Sequence, residues 1–335
     1  MSAIKFVTSF FGAFLSVFAI SGSVWAGTFE VSAQEGDRLL VKGLSAQVQF
    51  IAQPGAKTLK VSGVEDSSTT GVYTLKKKDR TIEIRMNDFD SKKDWKESVV
   101  KASSYMRKIE IMGPPMPVDL HLRDGSVTLQ KWTKEANISL INGRVLSQNG
   151  SGPLQISLQK GDISVFDHNG KVSTDGYSGN STIKNIQGDI EAQLFSGNLS
   201  VDKARGALIL NAQQSSSKVT QSSGSIQFEN GKGSLSIQGY QGRIEGQTGE
   251  GALTVNFLPE SELNIKSKSG RVNIQAPANS GASVNLLTID GDIFAPKELS
   301  VNRLSSEKSV RGRLRGDVQK ASIIVRSQEG SIVIK

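Results

Sequence analysis

The sequence predicts an all-β protein whose mature part is a single-stranded β-helix, also called a β-solenoid. Three features of the 335 residues lead to this fold class: 34 glycines against 8 prolines, a nine-residue spacing of many glycines, and apolar residues set singly between polar ones. Val, Ile and Leu that alternate with Ser, Thr, Asn and Gln are typical of strands with one buried face. Long helices are therefore not expected.

A glycine phase runs through the central part of the chain in steps of nine residues. The phase positions are Gly143, Gly152, Gly161, Gly170, Gly179, Gly188, Gly197, Gly206, Ser215, Gly224, Gly233, Gly242 and Gly251. The phase extends backwards through Lys134 to Gly125, and a second in-phase set closes the chain at Gly312, Ala321 and Gly330. A spacing kept over so many steps indicates a repeat architecture.

Apolar residues usually occupy the second and fourth positions after a phase residue. The pairs are Val127 and Leu129, Leu154 and Ile156, Ile163 and Val165, Leu199 and Val201, Leu208 and Leu210, Ile226 and Phe228, Leu235 and Ile237, and Leu253 and Val255. A period of two places both side chains on one face of a strand. The Gly, Asn, Ser, Asp and Gln residues between the strands tolerate turns and positive φ angles.

One such repeat cannot fold alone. Burying its two inward side chains contributes roughly 3 to 6 kcal/mol, whereas ordering its backbone costs on the order of 9 kcal/mol or more. Repeats must therefore stack into coils, so that the inward side chains form continuous apolar ladders. Two repeats per turn give an 18-residue coil and three give a 27-residue coil. The residues before the glycine alternate, as in Ile186-Gln187-Gly188 against Tyr177-Ser178-Gly179, which favours two and leaves three open.

The phase slips after Gly251, by one residue at Ser261 and by three between Ala276 and Ala282. Inward apolar residues continue beyond both slips, which favours surface loops over a domain boundary. These residues are Leu263, Ile265, Val272, Ile274, Val284, Leu286 and Ile293. We therefore interpret residues 119–335 as one regular β-solenoid.

Residues 1–26 have the features of a secretory signal peptide. Lys5 precedes an uncharged apolar run from Phe6 to Ile20, and small residues lead to Ala26. Cleavage after Ala26 predicts export to the periplasm, the cell surface or the medium, with an uncleaved anchor as the alternative. The chain has no cysteine, which excludes disulfides and a lipoprotein. No second apolar run has membrane length, so no transmembrane segment is expected after the signal peptide.

Residues 27–118 lack the nine-residue phase but retain the alternation of strands, for example in Ile82-Glu83-Ile84. We interpret them as irregular first coils or a small β cap, because the end of a solenoid exposes strand edges that must be covered. A short amphipathic helix is expected at about residues 91–107. Its basic residues include Lys92, Lys93, Lys96 and Lys101. Two interpretations stay open, contact with a membrane or anionic polymer and packing over the end of the solenoid.

The charge balance is basic, with 40 Lys and Arg against 32 Asp and Glu and a formal net charge of +8. This favours contact with anionic envelope polymers or lipids, and dispersed charge that maintains solubility is the alternative. Nucleic acid is not expected as a partner. Candidate polyanion contacts are the four lysines of the helix and a C-terminal group, Arg311, Arg313 and Arg315. Arg315-Gly316-Asp317 matches a host-cell attachment tripeptide, but we interpret its glycine as a turn residue.

The sequence predicts no catalytic, cofactor or metal site. A calcium-binding β-roll needs an aspartate two residues after a glycine, where this chain carries Val, Leu or Ile. A polysaccharide lyase or hydrolase needs clustered carboxylates, and the outward residues Asp162 and Asp189 stack only in a 27-residue coil. His121 is expected to point outward from a strand, and His168 is expected to be exposed at a corner. With no cysteine and only these two histidines, the chain has few residues that could form a nucleophilic triad or a His-based metal site.

The pattern Gly-x-Φ-x-Φ, where Φ is apolar, recurs in Gly161-Asp162-Ile163-Ser164-Val165 and Gly197-Asn198-Leu199-Ser200-Val201. It resembles a bacterial family of unknown function, described as putative adhesins with β-strand repeats and related to the head domain of putative autotransporter adhesins. The ending Gly330-Ser331-Ile332-Val333-Ile334 is similar to that family's usual ending. The resemblance covers about residues 28–335, and it implies a single-stranded β-helix and an exported, non-enzymatic protein.

These observations predict an exported binding scaffold of the cell envelope or surface. Its outward side chains would contact a glycan, a matrix polymer or a neighbouring protein. Two alternatives stay open, a β-helix polysaccharide-active enzyme and a periplasmic protein that self-assembles through its solenoid ends. No cofactor is expected under the leading interpretation.

Overall fold

The computed structural model describes five stretches of the chain, residues 27–64, 73–86, 107–276, 281–315 and 319–335. All regular structure in these stretches is β-strand, and the predicted all-β solenoid class is confirmed. Two compact units are present, Met1–Pro153 and Leu154–Lys335, here called the N-terminal unit and the C-terminal unit. The predicted signal peptide lies outside the described residues. So does the predicted helix, apart from Arg107, which begins a strand.

The strands of the N-terminal unit are β1 (Gly27–Ser32), β2 (Arg38–Ala52), β3 (Thr58–Val64), β4 (Tyr73–Lys78), β5 (Thr81–Met86), β6 (Arg107–Gly113), β7 (Val118–Gln130) and β8 (Ala136–Gln148). The strands of the C-terminal unit are β9 (Leu154–Asn169), β10 (Val172–Gln187), β11 (Ile190–Thr220), β12 (Ser223–Asn230), β13 (Leu235–Thr248), β14 (Leu253–Phe257), β15 (Glu262–Ser267), β16 (Val272–Gln275), β17 (Gly281–Thr288), β18 (Ile293–Phe294), β19 (Asn302–Leu304), β20 (Glu307–Leu314), β21 (Gln319–Ser327) and β22 (Ile332–Ile334).

Neighbouring coils stack in parallel with an 18-residue register. In the C-terminal unit, Val172 lies between Leu154 and Ile190. The same offset joins β11, β12 and β13. The offset between β13 and β15 is longer by one residue, because of the slip that the sequence places at Ser261. Each coil therefore holds two nine-residue repeats, and the preference for two over three is confirmed.

The N-terminal unit uses the same register and ends in antiparallel strands. β7 pairs in parallel with β8 at the 18-residue offset, and it pairs with β2 on its other side. The far edge of β2 pairs with β5 and β6. β4 then pairs with β5, β3 with β6, and β1 with β3, all antiparallel. These strands cover the edge of the first coil, which contains β2, and pair with backbone groups that this coil would otherwise expose. The predicted domain boundary at residue 118 stays a prediction.

The last coils of the C-terminal unit are not stacked in chain order. β21 and β22 pair with β15 and β16 on one side and with β17 and β18 on the other. β20 then adds antiparallel to β17, and β19 adds to β20. The predicted inward residues Val284, Leu286 and Ile293 are buried. The assignment of Gly312 as a phase residue is wrong, because it lies in antiparallel β20.

A third inward position follows the two predicted ones in each repeat of the coil. In one of the two repeats it is the seventh residue after the phase residue, and it is occupied by His168, Ile186, Ala204 and Ser222, all buried. The register places His168 directly beside Ile186. The expectation that His168 is exposed at a corner is therefore wrong, because the left-handed turn at Asp167 (φ 54°) precedes it and breaks the alternation, so that His168 faces inward.

Glycines at one corner let successive coils stack in contact. Gly179 has a φ of 139°, a backbone conformation that residues with a Cβ rarely adopt. A Cβ built on Gly179 would overlap the carbonyl oxygen of Gly161, the phase residue of the preceding coil. Gly197 stands in the same relation to Gly179. These positions are thus limited to glycine by both the backbone angle and the space available.

A second turn in each coil needs only a left-handed backbone. In the C-terminal unit, residues with φ between 49° and 56° recur there every 18 positions: Asp167, Asn185, Lys203 and Gln221. Gly239 continues this series with a φ of 62°. A Cβ on Gly239 would meet no atom closer than 3.9 Å, so residues other than glycine fit at this turn.

We expect Gly179→Ala to lower the free energy of unfolding by about 3 kcal/mol or more, because the new Cβ meets both the strained φ and the carbonyl of Gly161. Gly239→Asn is the matched control, with an expected change within about 1 kcal/mol. Urea denaturation followed by circular dichroism measures both values. Equal stability of the two variants would contradict the steric role of the phase glycines.

Candidate ligand-binding groove

A groove of about 400 Å³ crosses four coils on one outer face of the C-terminal unit. Its walls are the outward residues three and five positions after Gly206, Gly224, Gly242 and Ser261. We call it the outer groove. Its lining side chains are Ile209, Asn211, Gln227, Glu229, Glu245, Gln247, Asn264 and Lys266.

The register of the coils arranges these side chains in two columns. Gln227 lies beside Glu245, and Glu245 lies beside Asn264. The second column is built in the same way from Glu229, Gln247 and Lys266. Adjacent strands lie about 4.8 Å apart. The second column, with Asn211 in its first coil, therefore presents one polar side chain per coil, whereas the first column carries Ile209 in its first coil and polar side chains in the other three.

Hydrogen bonds and one ion pair orient part of this lining. Asn264 donates through Nδ2 to Oε1 of Glu245 at 3.4 Å, and the same carboxyl group pairs with Arg243 at 3.0 Å. At the first coil of the groove, Gln213 donates through Nε2 to Oδ1 of Asn211 at 2.9 Å. Side chains of the lining that are exposed to solvent are Ile209, Gln227, Glu229, Gln247 and Lys266.

A second cavity, of about 530 Å³, lies at the corner beside the outer groove and is lined in part by Gly231 and Gly249. Buried polar side chains brace it, each donating to the carbonyl oxygen of a glycine three residues later. The pairs are Asn230 with Gly233 at 2.6 Å, Thr248 with Gly251 at 2.7 Å and Ser267 with Gly270 at 2.7 Å. Sequence reasoning missed the groove and this brace. A polar residue three positions before successive glycines is the signal that could have found the brace.

Of the predicted basic residues, the three C-terminal arginines lie among the described residues, and they differ in exposure. Arg311 and Arg313 are exposed on one face of β20, where they lie beside Asn285 and Ser283 of β17. Arg315 is half-buried, and its Nη1 donates to the carbonyl oxygen of Ala276 at 3.0 Å. Polyanion binding by this group stays a prediction. The other candidates lie outside the described residues: Lys92, Lys93, Lys96 and Lys101.

The two outward aspartates lie in different repeats of the 18-residue coil and do not stack. Asp162 accepts from Nδ2 of Asn180 at 2.9 Å, and Asp189 accepts from the backbone N–H of Ala207 at 2.9 Å. Each bond joins a residue to the one 18 positions later, so both aspartates link adjacent coils. His121 is exposed, as predicted. Desolvation, followed by the nearby charge of Lys42, lowers its pKa below the usual value.

A metal-ligand cluster and a membrane-spanning helix are both absent from the five described stretches. Within those five stretches, His, Cys, Asp and Glu side chains form no group of three or more that could hold a metal ion. The same stretches contain no helix long and apolar enough to cross a membrane.

Comparison with known proteins gives one family match, to a model described as Toastrack DUF4097, over residues 37–335. Among curated proteins no match was found. Several solved structures are also similar to this chain. A "putative adhesin" from Bacteroides fragilis shares 11% identity, with 95% of this chain and 100% of that chain covered and a TM-score of 0.31.

Two further similar structures come from different bacteria. A "putative cell adhesion protein" from Clostridium sporogenes shares 11% identity, with 92% of this chain and 99% of that chain covered and a TM-score of 0.17. A "putative lipid binding protein" from Parabacteroides distasonis shares 15% identity, with coverage of 94% and 99% and a TM-score of 0.29. The family match is the comparison that identifies the chain.

We expect Thr248→Val to destabilise the C-terminal unit by about 1 to 2 kcal/mol, because the carbonyl of Gly251 loses its buried hydroxyl donor. Thr254→Val is the control, since Thr254 is exposed on a strand and the shape change is the same. Thermal unfolding followed by circular dichroism compares the two variants. A control that unfolds as early as Thr248→Val would contradict the bracing role.

Proposed function

The chain belongs to the Toastrack DUF4097 family, and from that premise we propose that it is an exported bacterial scaffold that binds an extended glycan without changing it chemically. The outer groove is the observation that carries this proposal, because it crosses four coils and combines polar outward side chains with the apolar lining residues Ile209, Leu210 and Phe228. The signal-peptide features of residues 1–26 support a location in the envelope or at the cell surface.

The lining of the outer groove suits a ligand rich in hydroxyl groups. Gln227, Gln247 and Asn264 each offer donors and an acceptor, whereas Glu229 and Glu245 accept only. Sugar hydroxyls both donate and accept, so they can satisfy either kind of side chain. The step of about 4.8 Å between coils is close to the length of one sugar residue in an extended β-linked glycan. Successive sugars therefore meet corresponding positions on successive coils, most of which carry polar side chains.

A polysaccharide-active enzyme is the second candidate, because Glu229 and Glu245 lie in the same groove. Glycoside hydrolysis uses two carboxyl groups, one of which is kept protonated by an enclosed, apolar setting. Glu229 is exposed, and Glu245 is half-exposed and paired with Arg243. This arrangement favours hydrogen bonding to a ligand over proton donation, and a binding scaffold is the better fit.

We expect the mature chain from Gly27 to bind soluble β-linked hexasaccharides, measured by titration calorimetry with cellohexaose and chitohexaose. The double variant Gln227→Ala/Gln247→Ala should weaken this binding about tenfold, because two side chains that hydrogen-bond the sugar are removed. Both side chains are exposed, so the fold is expected to remain intact.

The matched control is Gln238→Ala/Thr254→Ala, which removes two exposed polar side chains from the other face of the same coils. It should bind both sugars as the unchanged protein does. Equal loss in both double variants, or no binding of either sugar by the unchanged protein, would overturn the groove proposal. Shortened oligosaccharides after incubation, detected by mass spectrometry, would establish the enzyme instead.

A further inference from the structure

Two aromatic side chains stack on the surface of the C-terminal unit, outside the outer groove. Tyr177 is 62% exposed and Phe195 is 37% exposed. Their ring centroids are 4.9 Å apart and their planes differ by 2°. Phe195 stacks on one face of the Tyr177 ring, and the exposure of Tyr177 means that much of this side chain lies in solvent.

The fold does not require aromatic residues at these positions. Tyr177 and Phe195 occupy the same corner position in two adjacent coils, and the equivalent positions in the coils on either side are Gln159 and Gln213. Because glutamine occupies the same corner on both sides, packing does not explain the two rings. Aromatic side chains are enriched where proteins contact ligands and partners.

A ladder of polar side chains runs along the other side of this corner. Asn180 donates through Nδ2 to Asp162 at 2.9 Å, and Asn198 donates through Nδ2 to Asn180 at 2.9 Å. Asn180 and Asn198 are exposed, and each follows the phase glycine that closes the aromatic corner. An apolar ring surface and a row of amides thus lie on either side of the same turn.

The aromatic pair also lies in line with the outer groove. Further along the same column of the C-terminal unit, the corner positions are Gly231, Gly249 and Lys268, which belong to the corner beside that groove. A ligand that follows the stacking direction therefore passes from the rings to the groove without leaving this side of the unit.

We propose that Tyr177, backed by Phe195, is a stacking platform for one pyranose ring of a β-linked glycan. The C–H face of such a sugar is apolar and fits the exposed surface of the Tyr177 ring, while its hydroxyls meet the amides of Gln159 and Asn180. Phe195 holds the tyrosine ring in position. This inference rests on the proposed glycan function and specifies its ligand as an uncharged pyranose with equatorial substituents.

Saturation-transfer NMR on the mature chain tests the platform with cellohexaose and chitohexaose as probes. We expect strong transfer to the ring C–H protons of the sugar and a loss of about fivefold in Tyr177→Gln/Phe195→Gln. These substitutions place in the column the residue already present at Gln159 and Gln213, so the unfolding midpoint should not change. Tyr177→Phe should keep the signal, because the ring face remains.

Tyr177→Leu separates a sugar platform from a general apolar contact. It keeps an apolar side chain without a planar face, so the C–H signal should fall as in the glutamine variant. An unchanged signal in Tyr177→Leu and in the glutamine variant would overturn the proposal. So would a dimer of the unchanged protein, detected by sedimentation, that Tyr177→Gln/Phe195→Gln dissociates, because the rings would then join two copies of the chain.

The groove variant Gln227→Ala/Gln247→Ala distinguishes this inference from the proposed function. If both are correct, the groove variant weakens affinity but retains the C–H signal from the aromatic pair. If the groove proposal alone fails, affinity is unchanged in the groove variant and still falls in the aromatic variant. If the platform alone fails, the C–H signal is the same in the aromatic variant and in the unchanged protein.

Discussion

Direct contact between the backbones of successive phase glycines is the constraint on which the rest of this structure depends. At Gly179 there is no room for a Cβ, because the carbonyl oxygen of Gly161 occupies that space. The same contact fixes the 18-residue register between coils. Once the register is fixed, each inward side chain stacks on an inward side chain of the neighbouring coil. The apolar ladders follow from this register alone. A repeat that cannot bury its own core becomes stable only through this stacking.

The same register arranges the outward residues in columns. These columns are available for binding a ligand. Outward side chains add little to the core, so they vary between coils while their positions stay fixed. The two columns of the outer groove and the stacked pair Tyr177 and Phe195 arise in this way. Gly231 and Gly249 have no side chains to fill the corner beside the groove. At the same corner, buried Thr248 donates a hydrogen bond to the carbonyl oxygen of Gly251. A scaffold that repeats one spacing is well suited to a ligand that repeats a similar one.

The regular coils could be predicted from the sequence because their information is local. Glycine spacing and apolar pairs such as Ile163 and Val165 specify strand, corner and inward face within one repeat. The coil ends could not be predicted, because the position of β21 between β15 and β17 depends on pairings between strands that are distant in the chain. His168 was placed wrongly because its inward position follows from the 18-residue coil and not from the nine-residue repeat. The groove and the aromatic pair depend on which residues meet in adjacent coils, and this emerges only once the register is known.

The 18-residue coil is the central claim, and a distance across the proposed binding side tests it most directly. Spin labels attach to cysteine, and the chain has none of its own. The double variant Gln159→Cys/Lys268→Cys is therefore labelled at these two positions alone. Double electron–electron resonance should place the two labelled backbones about 29 Å apart, which corresponds to six strand spacings of about 4.8 Å. A separation of about 19 Å, the four spacings that a 27-residue coil would give, would contradict the register and every column derived from it.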